Sequence, residues 1–218
     1  MIDRDRDPHE FARVLALSDA IFGVAMTLLV ISIVIPAGLS SEEFPQAIVD
    51  LLPRIAIMGL SIAVSASAWI THHRLFTAVQ RIDPGLVNWN FLLLGLVALI
   101  PLPHQVLGEY GAREPLAYVL YAVVMASVNG VTVAMDLHVQ RRNLTRETST
   151  GYDHQLEKRR GILVVSGFLI SIPLAFVLVF WTPLIWIALL PLDRFLVARA
   201  RRPWAELAPP RDHSLGEE

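Results

Sequence analysis

The apolar stretches of this 218-residue chain carry few groups able to do chemistry, and those few recur in three places. Arg13, Ser18 and Asp19 stand at the start of the first long apolar run, Trp69, His72 and His73 near the end of the second, and Asn88, Trp89 and Asn90 at the opening of the third. An ionisable group near membrane depth is costly and nearly always paired. Asp19 therefore needs partners, and Arg13, Trp69, the two histidines and Asn90 are the candidates at its depth. The chemistry these side chains suit is a buried hydrogen-bond clamp. Catalysis fits them worse. His72 and His73 are adjacent, so on a helix they project about 100° apart and cannot readily share a metal, unlike histidines at i and i+4. His104 and His138 lie on other segments and on different sides. With no cysteine in the chain, a disulfide framework, a thiolate metal site and a cysteine nucleophile are all excluded. Neither an enzyme nor a cofactor is expected.

The elements that must position these residues are membrane helices. Hydrophobic residues make up 54% of the chain and charged ones 17%, against roughly a quarter charged in a soluble domain, so charge is missing from a lipid-facing surface. A hydrocarbon core of about 30 Å needs roughly 20 apolar helical residues. Six stretches qualify: 14–35, ended by Pro36 and Gly38; 53–79; 86–107, interrupted by Pro101 and Pro103; 116–137; 161–181; and a shorter one at 183–197. The expected fold is all-α, a polytopic membrane protein with one six-helix domain over residues 1–202 and a polar tail at 203–218. The charged opening segment runs into the first apolar stretch without a small-residue cleavage site, which predicts a retained helix. The stretch from Met135 to Glu157 reads as a polar loop.

Lys and Arg set the orientation. With the first residues inside, all but two of the 18 Lys and Arg fall in cytoplasmic segments, and only Arg54 and Arg113 fall outside. An even number of spans then puts both termini in the cytoplasm. The basic run from Arg199 to Arg202, followed by Trp204, reads as a topology anchor at the lipid interface. A net charge of -2, with the basic residues used this way, points to membrane lipids as neighbours and away from nucleic acid.

On the first helix, Val24, Leu28, Ile31 and Ile35 fall in one narrow stripe at 3.6 residues per turn, extended by Leu17 and Ile21. Beside it runs a row of small residues, Ala16, Ala20, Gly23 and Thr27, which would let a neighbouring helix approach closely. Periodicity alone does not separate a pore lining from a lipid face.

The run RVLALSDAIFGVAMTLLVI from Arg13 to Ile31 resembles the signature R-x-x-x-F-S-D-x-x-F-x-x-x-x-T-L-L-V of the endolysosomal potassium channel family, in its bacterial form with one six-helix repeat. WITHHRLF from Trp69, Asn90, and PLPHQVLGEY from Pro101 to Tyr110 resemble the family in the same order. The likeness implies a potassium-permeable channel in a bacterial inner membrane, a homotetramer with the first helix of each subunit lining a central pore. It puts the pore constriction on Val24, Leu28 and Ile31, potassium preference on Thr27, and a structural polar network on Arg13, Ser18, Asp19, Trp69, His72, His73 and Asn90. Two residues depart from the pattern: Leu17 replaces the signature Phe, and Ser32 stands where homologues often carry an acid near the outer mouth. No T-V-G-Y-G stretch is present, so the expected gate is a hydrophobic constriction and the expected preference for potassium over sodium is modest. The rival is a proton-coupled transporter, which uses intramembrane carboxylates and usually paired repeats with broken helices. Here Asp19, Asp136 and Asp193 lie near the cytoplasmic edge, and no repeat is visible.

Overall fold

The computed structural model describes residues 2–111, 113–145, 152–178 and 181–188. Among these, helices α1 (Pro8–Ile31), α2 (Phe44–Ala78), α3 (Pro84–Leu99), α4 (Pro101–Tyr110), α5 (Pro115–Arg141) and α6 (His154–Ala175) run up and down as a bundle. Among the described residues, four spans are long and apolar enough to cross a membrane: α1, α2, α3 with α4 taken together, and α5. The chain turns helical again over 182–188, where the expected sixth helix begins; its remainder to 197 and the tail at 203–218 lie outside the described residues.

Local chemistry explains where the helix ends differ from the apolar runs. α1 starts six residues before Val14 because Pro8 sits in its first turn, where a missing N–H costs nothing, and Glu10 adds an acid to that turn. It stops at Ile31, not Ile35: Pro36 disfavours helix at the residue before it, and its ring would collide with the carbonyl four residues back. The Ser32 hydroxyl closes the end by donating to the Leu29 carbonyl at 2.7 Å. α2 starts at Phe44, nine residues before the expected Pro53. Ser40 and Glu43 form a capping box there, with the Ser40 N–H and hydroxyl both on the Glu43 carboxylate at 2.9 and 2.8 Å. Those two bonds hold the Glu43 carboxyl below its ordinary value. Pro53 is carried inside the helix. Between α3 and α4, Pro101 has no N–H to offer the Val97 carbonyl, which takes the Ile100 N–H at 3.1 Å. The tightened turn is the interruption expected from the prolines.

The stretch expected as one polar loop is helical at both of its ends. α5 runs on to Arg141, and α6 opens at His154, where Asp153 caps the Gln155 and Leu156 N–H groups at 2.9 and 3.1 Å. At the same end of the bundle, β1 (Ile2–Asp3) pairs antiparallel with β2 (Arg81–Ile82). This small ladder is a departure from an all-helical chain. Gln80 and Arg81 also donate backbone N–H groups to the Leu144 carbonyl, so the ladder end ties together the lead-in to α1, the α2–α3 turn and the end of α5. α5 packs most extensively on α6 and α3, while α1 lies against α2, α3 and α4. The core near the start of α5 is aromatic, with Tyr121 and Trp186 stacked at 4.7 Å and Phe168 beside them.

Candidate functional site

One polar cluster sits near the ladder end. Ser18, His72 and Asn90 are fully or almost fully buried, brought together by the middle of α1, the last turns of α2 and the second turn of α3. Asn90 Nδ2 donates to Ser18 Oγ at 3.1 Å, and Ser18 passes its own proton to the Val14 carbonyl at 3.0 Å. His72 Nε2 lies 2.9 Å from Asn90 Oδ1. An amide oxygen only accepts, so His72 donates there and its Nδ1 is left bare. That nitrogen is buried without a hydrogen-bond partner among the described residues, as is Nδ1 of His73. Phe22 and Phe76 flank the His72 ring at 5.7 and 4.4 Å. Next to this triad the half-buried Asp19 carboxylate accepts the indole N–H of Trp69 at 2.8 Å, and the Trp69 ring lies 5.4 Å from that of His73. Six of the seven residues expected in the network are thus in one place.

Arg13 is not. Its side chain is 77% exposed and pairs with Glu10 at 2.9 Å. Six positions on a helix turn it about 120° away from Asp19, so the two cannot share a face. The partner of Asp19 is an indole, not a cation.

The expected aliphatic stripe is bare within the subunit: Val24, Leu28 and Ile31 are 57%, 41% and 70% exposed, while Phe22, Ala25 and Leu29 on the other side of α1 are buried. Ile35 lies past the end of the helix, and Ile21 is drawn partly into the core. Thr27 is exposed beside Leu28, and its hydroxyl donates to the Val24 carbonyl at 2.8 Å. The row of small residues is not used for close packing inside the subunit, since a Cβ built on Gly23 would meet nothing within 4 Å.

A second polar cluster lies at the opposite end of the bundle. His104 of α4 lies 2.9 Å from Ser32 Oγ through Nε2 and 3.1 Å from Ser61 Oγ through Nδ1, and Ser61 is 2.9 Å from the Tyr121 hydroxyl. A cavity of about 350 Å³ opens against Ser32 and His104 and is rimmed by the Arg54–Glu109 ion pair at 2.9 Å. Sequence reading singles out neither Ser61 nor Tyr121. The signal was present on α2, where Ser61, Ser65, Ala68 and His72 recur at spacings of four, three and four and are all buried.

A third group braces α6. Asp136 accepts from His154 at 2.6 Å, Gln140 at 2.8 Å and Tyr152 at 3.1 Å, and Glu157 pairs with Arg160 and Arg74. Burial, with the charges of Asp136 and Glu157, pushes the Tyr152 phenol far up. At the α2–α3 turn, burial works to raise the Asp83 carboxyl, but the Leu86 N–H and His138 hold it below its usual range.

Residues 13–101 match the profile of the family described as endosomal/lysosomal potassium channel TMEM175. The whole fold matches too: the crystal structure of a lysosomal potassium-selective channel TMEM175 homologue from Chamaesiphon minutus superposes with a TM-score of 0.72, at 25% identity, over 87% of this chain and 97% of that one. Over that segment, and in its fold, the chain is similar to the TMEM175 family. A potassium channel of Streptomyces collinus is 32% identical over 136 residues, 61% of this chain and 66% of the relative. Another, of Chamaesiphon minutus, is 37% identical over 106 residues, 48% and 52% respectively. The chain thus aligns with just under two thirds of one relative and about half of the other. TMEM175 is a family of ion channels, not of enzymes. Its matching segment runs from Arg13 to Pro101, so it takes in the bare stripe of α1 and the whole ladder-end cluster, and leaves α5 and α6 outside.

Proposed function

We propose that the chain forms a potassium-permeable channel in a bacterial inner membrane, with six spans per subunit, both termini in the cytoplasm, and four copies arranged so that the bare stripe of α1 lines a shared central pore. The observation that carries this reading is the split character of α1. Its buried face is held by packing and by the Ser18–Asn90–His72 triad, while Val24, Leu28 and Ile31 stay exposed beside the described residues. The similar proteins from Chamaesiphon minutus and Streptomyces collinus are named as potassium channels, and the stripe lies in the segment that matches the family profile. Water confined between rings of branched aliphatic groups loses hydrogen bonds, so such rings stay dry until a small outward movement wets them. Val24, Leu28 and Ile31 then act as constriction and gate together.

Thr27 supplies the polar element. Its proton is committed to the Val24 carbonyl, so the hydroxyl oxygen offers lone pairs to a cation passing the Leu28 ring. A few hydroxyl oxygens replace little of an ion's water shell, which fits a modest preference for potassium over sodium. Membrane lipids cover the remaining apolar surface, and Arg13 stays at the cytoplasmic rim. In proteoliposomes, Leu28→Ala and Ile31→Ala are each expected to raise potassium flux and lower the potassium-to-sodium ratio. Unchanged flux and unchanged ratio in both variants would remove the constriction from α1, and saturable uptake that tracks a pH gradient would favour a proton-coupled transporter.

A further inference from the structure

The cluster around His104 has one consistent arrangement of protons. The Ser32 hydroxyl has a single hydrogen, and it is spent on the Leu29 carbonyl at 2.7 Å. At the 2.9 Å contact with His104, Ser32 can therefore only accept, so His104 carries its proton on Nε2. In a neutral imidazole Nδ1 is then an acceptor, so Ser61 donates to it across 3.1 Å. Ser61 has spent its hydrogen in turn, which makes Tyr121 the donor across 2.9 Å. The result is a one-way chain from Tyr121 of α5 through Ser61 of α2 and His104 of α4 to Ser32 and the last turn of α1. Ser61, Tyr121 and His104 are buried, so an unmade bond there has no ready replacement from water.

We propose that His104 is a positioning residue for the gate: by donating to Ser32 while accepting from Ser61, it fixes the rotation of the α1 turn that displays Ile31. This rests on the channel reading above. The chain ends on Leu29, which faces the core, two residues from Ile31, which faces away. Turning that last turn about the helix axis swings Ile31 sideways and changes the width of the ring it would form. α4 is well placed to exert such control. It is a separate helix after the Pro101 break, and the cavity beside His104 and Ser32 gives the turn room to move.

The test compares substitutions at the two ends of the decisive bond, with potassium flux measured in liposomes. His104→Leu has similar bulk but neither donates nor accepts. His104→Gln has an amide that can donate to Ser32 and accept from Ser61. The leucine variant loses both bonds and is expected to leak at least about fivefold more, the factor that corresponds to the one bond that reaches α1, and the glutamine variant to stay within about twofold of the unmodified protein. Should the leucine variant not assemble, Ser32→Ala against Ser32→Thr asks the same question from the α1 side, and the alanine variant alone is expected to leak. If Leu and Gln behave alike, or Ala and Thr behave alike, His104 has only a packing role and the proposal is overturned. Absence of potassium flux from the unmodified protein would instead strike the channel reading itself.

Discussion

On one side of α1, Ser18, Phe22, Ala25 and Leu29 are buried, and each meets a group suited to it; on the other, Val24, Leu28 and Ile31 stand bare. Both sides are mostly apolar, so hydrophobicity does not distinguish them. What does is polar anchoring: Ser18 is fixed by Asn90, its neighbour Asp19 by Trp69, and Ser32, past the last turn, by His104. In a bilayer, lipid tails are as apolar as leucine, so helices associate through close packing and interhelical hydrogen bonds. The polar residues of α1 therefore decide which way the helix faces, and the aliphatic residues only occupy the side that is left.

That contrast can be broken in graded steps. The largest effect is expected for Phe22→Ala, which empties a fully buried site and should cost about 3 kcal/mol or more. Thermal unfolding in detergent measures it, and stability equal to that of the unmodified protein would mean the buried side is not packed as described. Trp69→Phe keeps an aromatic six-membered ring but removes the indole N–H that Asp19 accepts, together with the five-membered ring that carries it. It should cost about 1 kcal/mol, with oligomer yield falling before any ion preference changes. A shifted preference at full yield would put Asp19 in the conduction path and not in the clamp. Arg13→Gln is expected to change stability by less than about 1 kcal/mol, because its ion pair is solvent-exposed and such pairs are worth little. A collapse in folding would restore Arg13 to the network.

The sequence carried the order of the first five apolar stretches well, because each is a long apolar run bounded by prolines, glycines or charges; the Pro101 break divides the third into α3 and α4, and most of the sixth lies outside the described residues. It was poorer on where they end. α1, α2 and α6 all begin in polar sequence, at Pro8, Phe44 and His154, where a proline in the first turn, the Ser40–Glu43 bonds and the Asp153 cap, and not hydropathy, set the start. The ladder-end cluster was legible since histidine, tryptophan and asparagine are conspicuous in apolar surroundings. Ser61 and Tyr121 were not, since serine and tyrosine are ordinary in such helices, and only tertiary packing brings them to His104. Arg13 lies outside the ladder-end cluster for a simpler reason: it stands near the depth of Asp19, but the rotation of α1 turns it about 120° away, towards Glu10.

The reach of α2 has a consequence for the surrounding membrane. Its 35 residues make a rod of about 52 Å, far longer than an oil layer of about 30 Å is thick. Such a rod must lean or let its first turns protrude, and a lean changes with the thickness of the host bilayer at a modest cost. Because the Trp69–Asp19 and His72–Asn90 bonds join α2 to α1 and α3, acyl-chain length becomes a mechanical input to the same helix that carries the bare stripe.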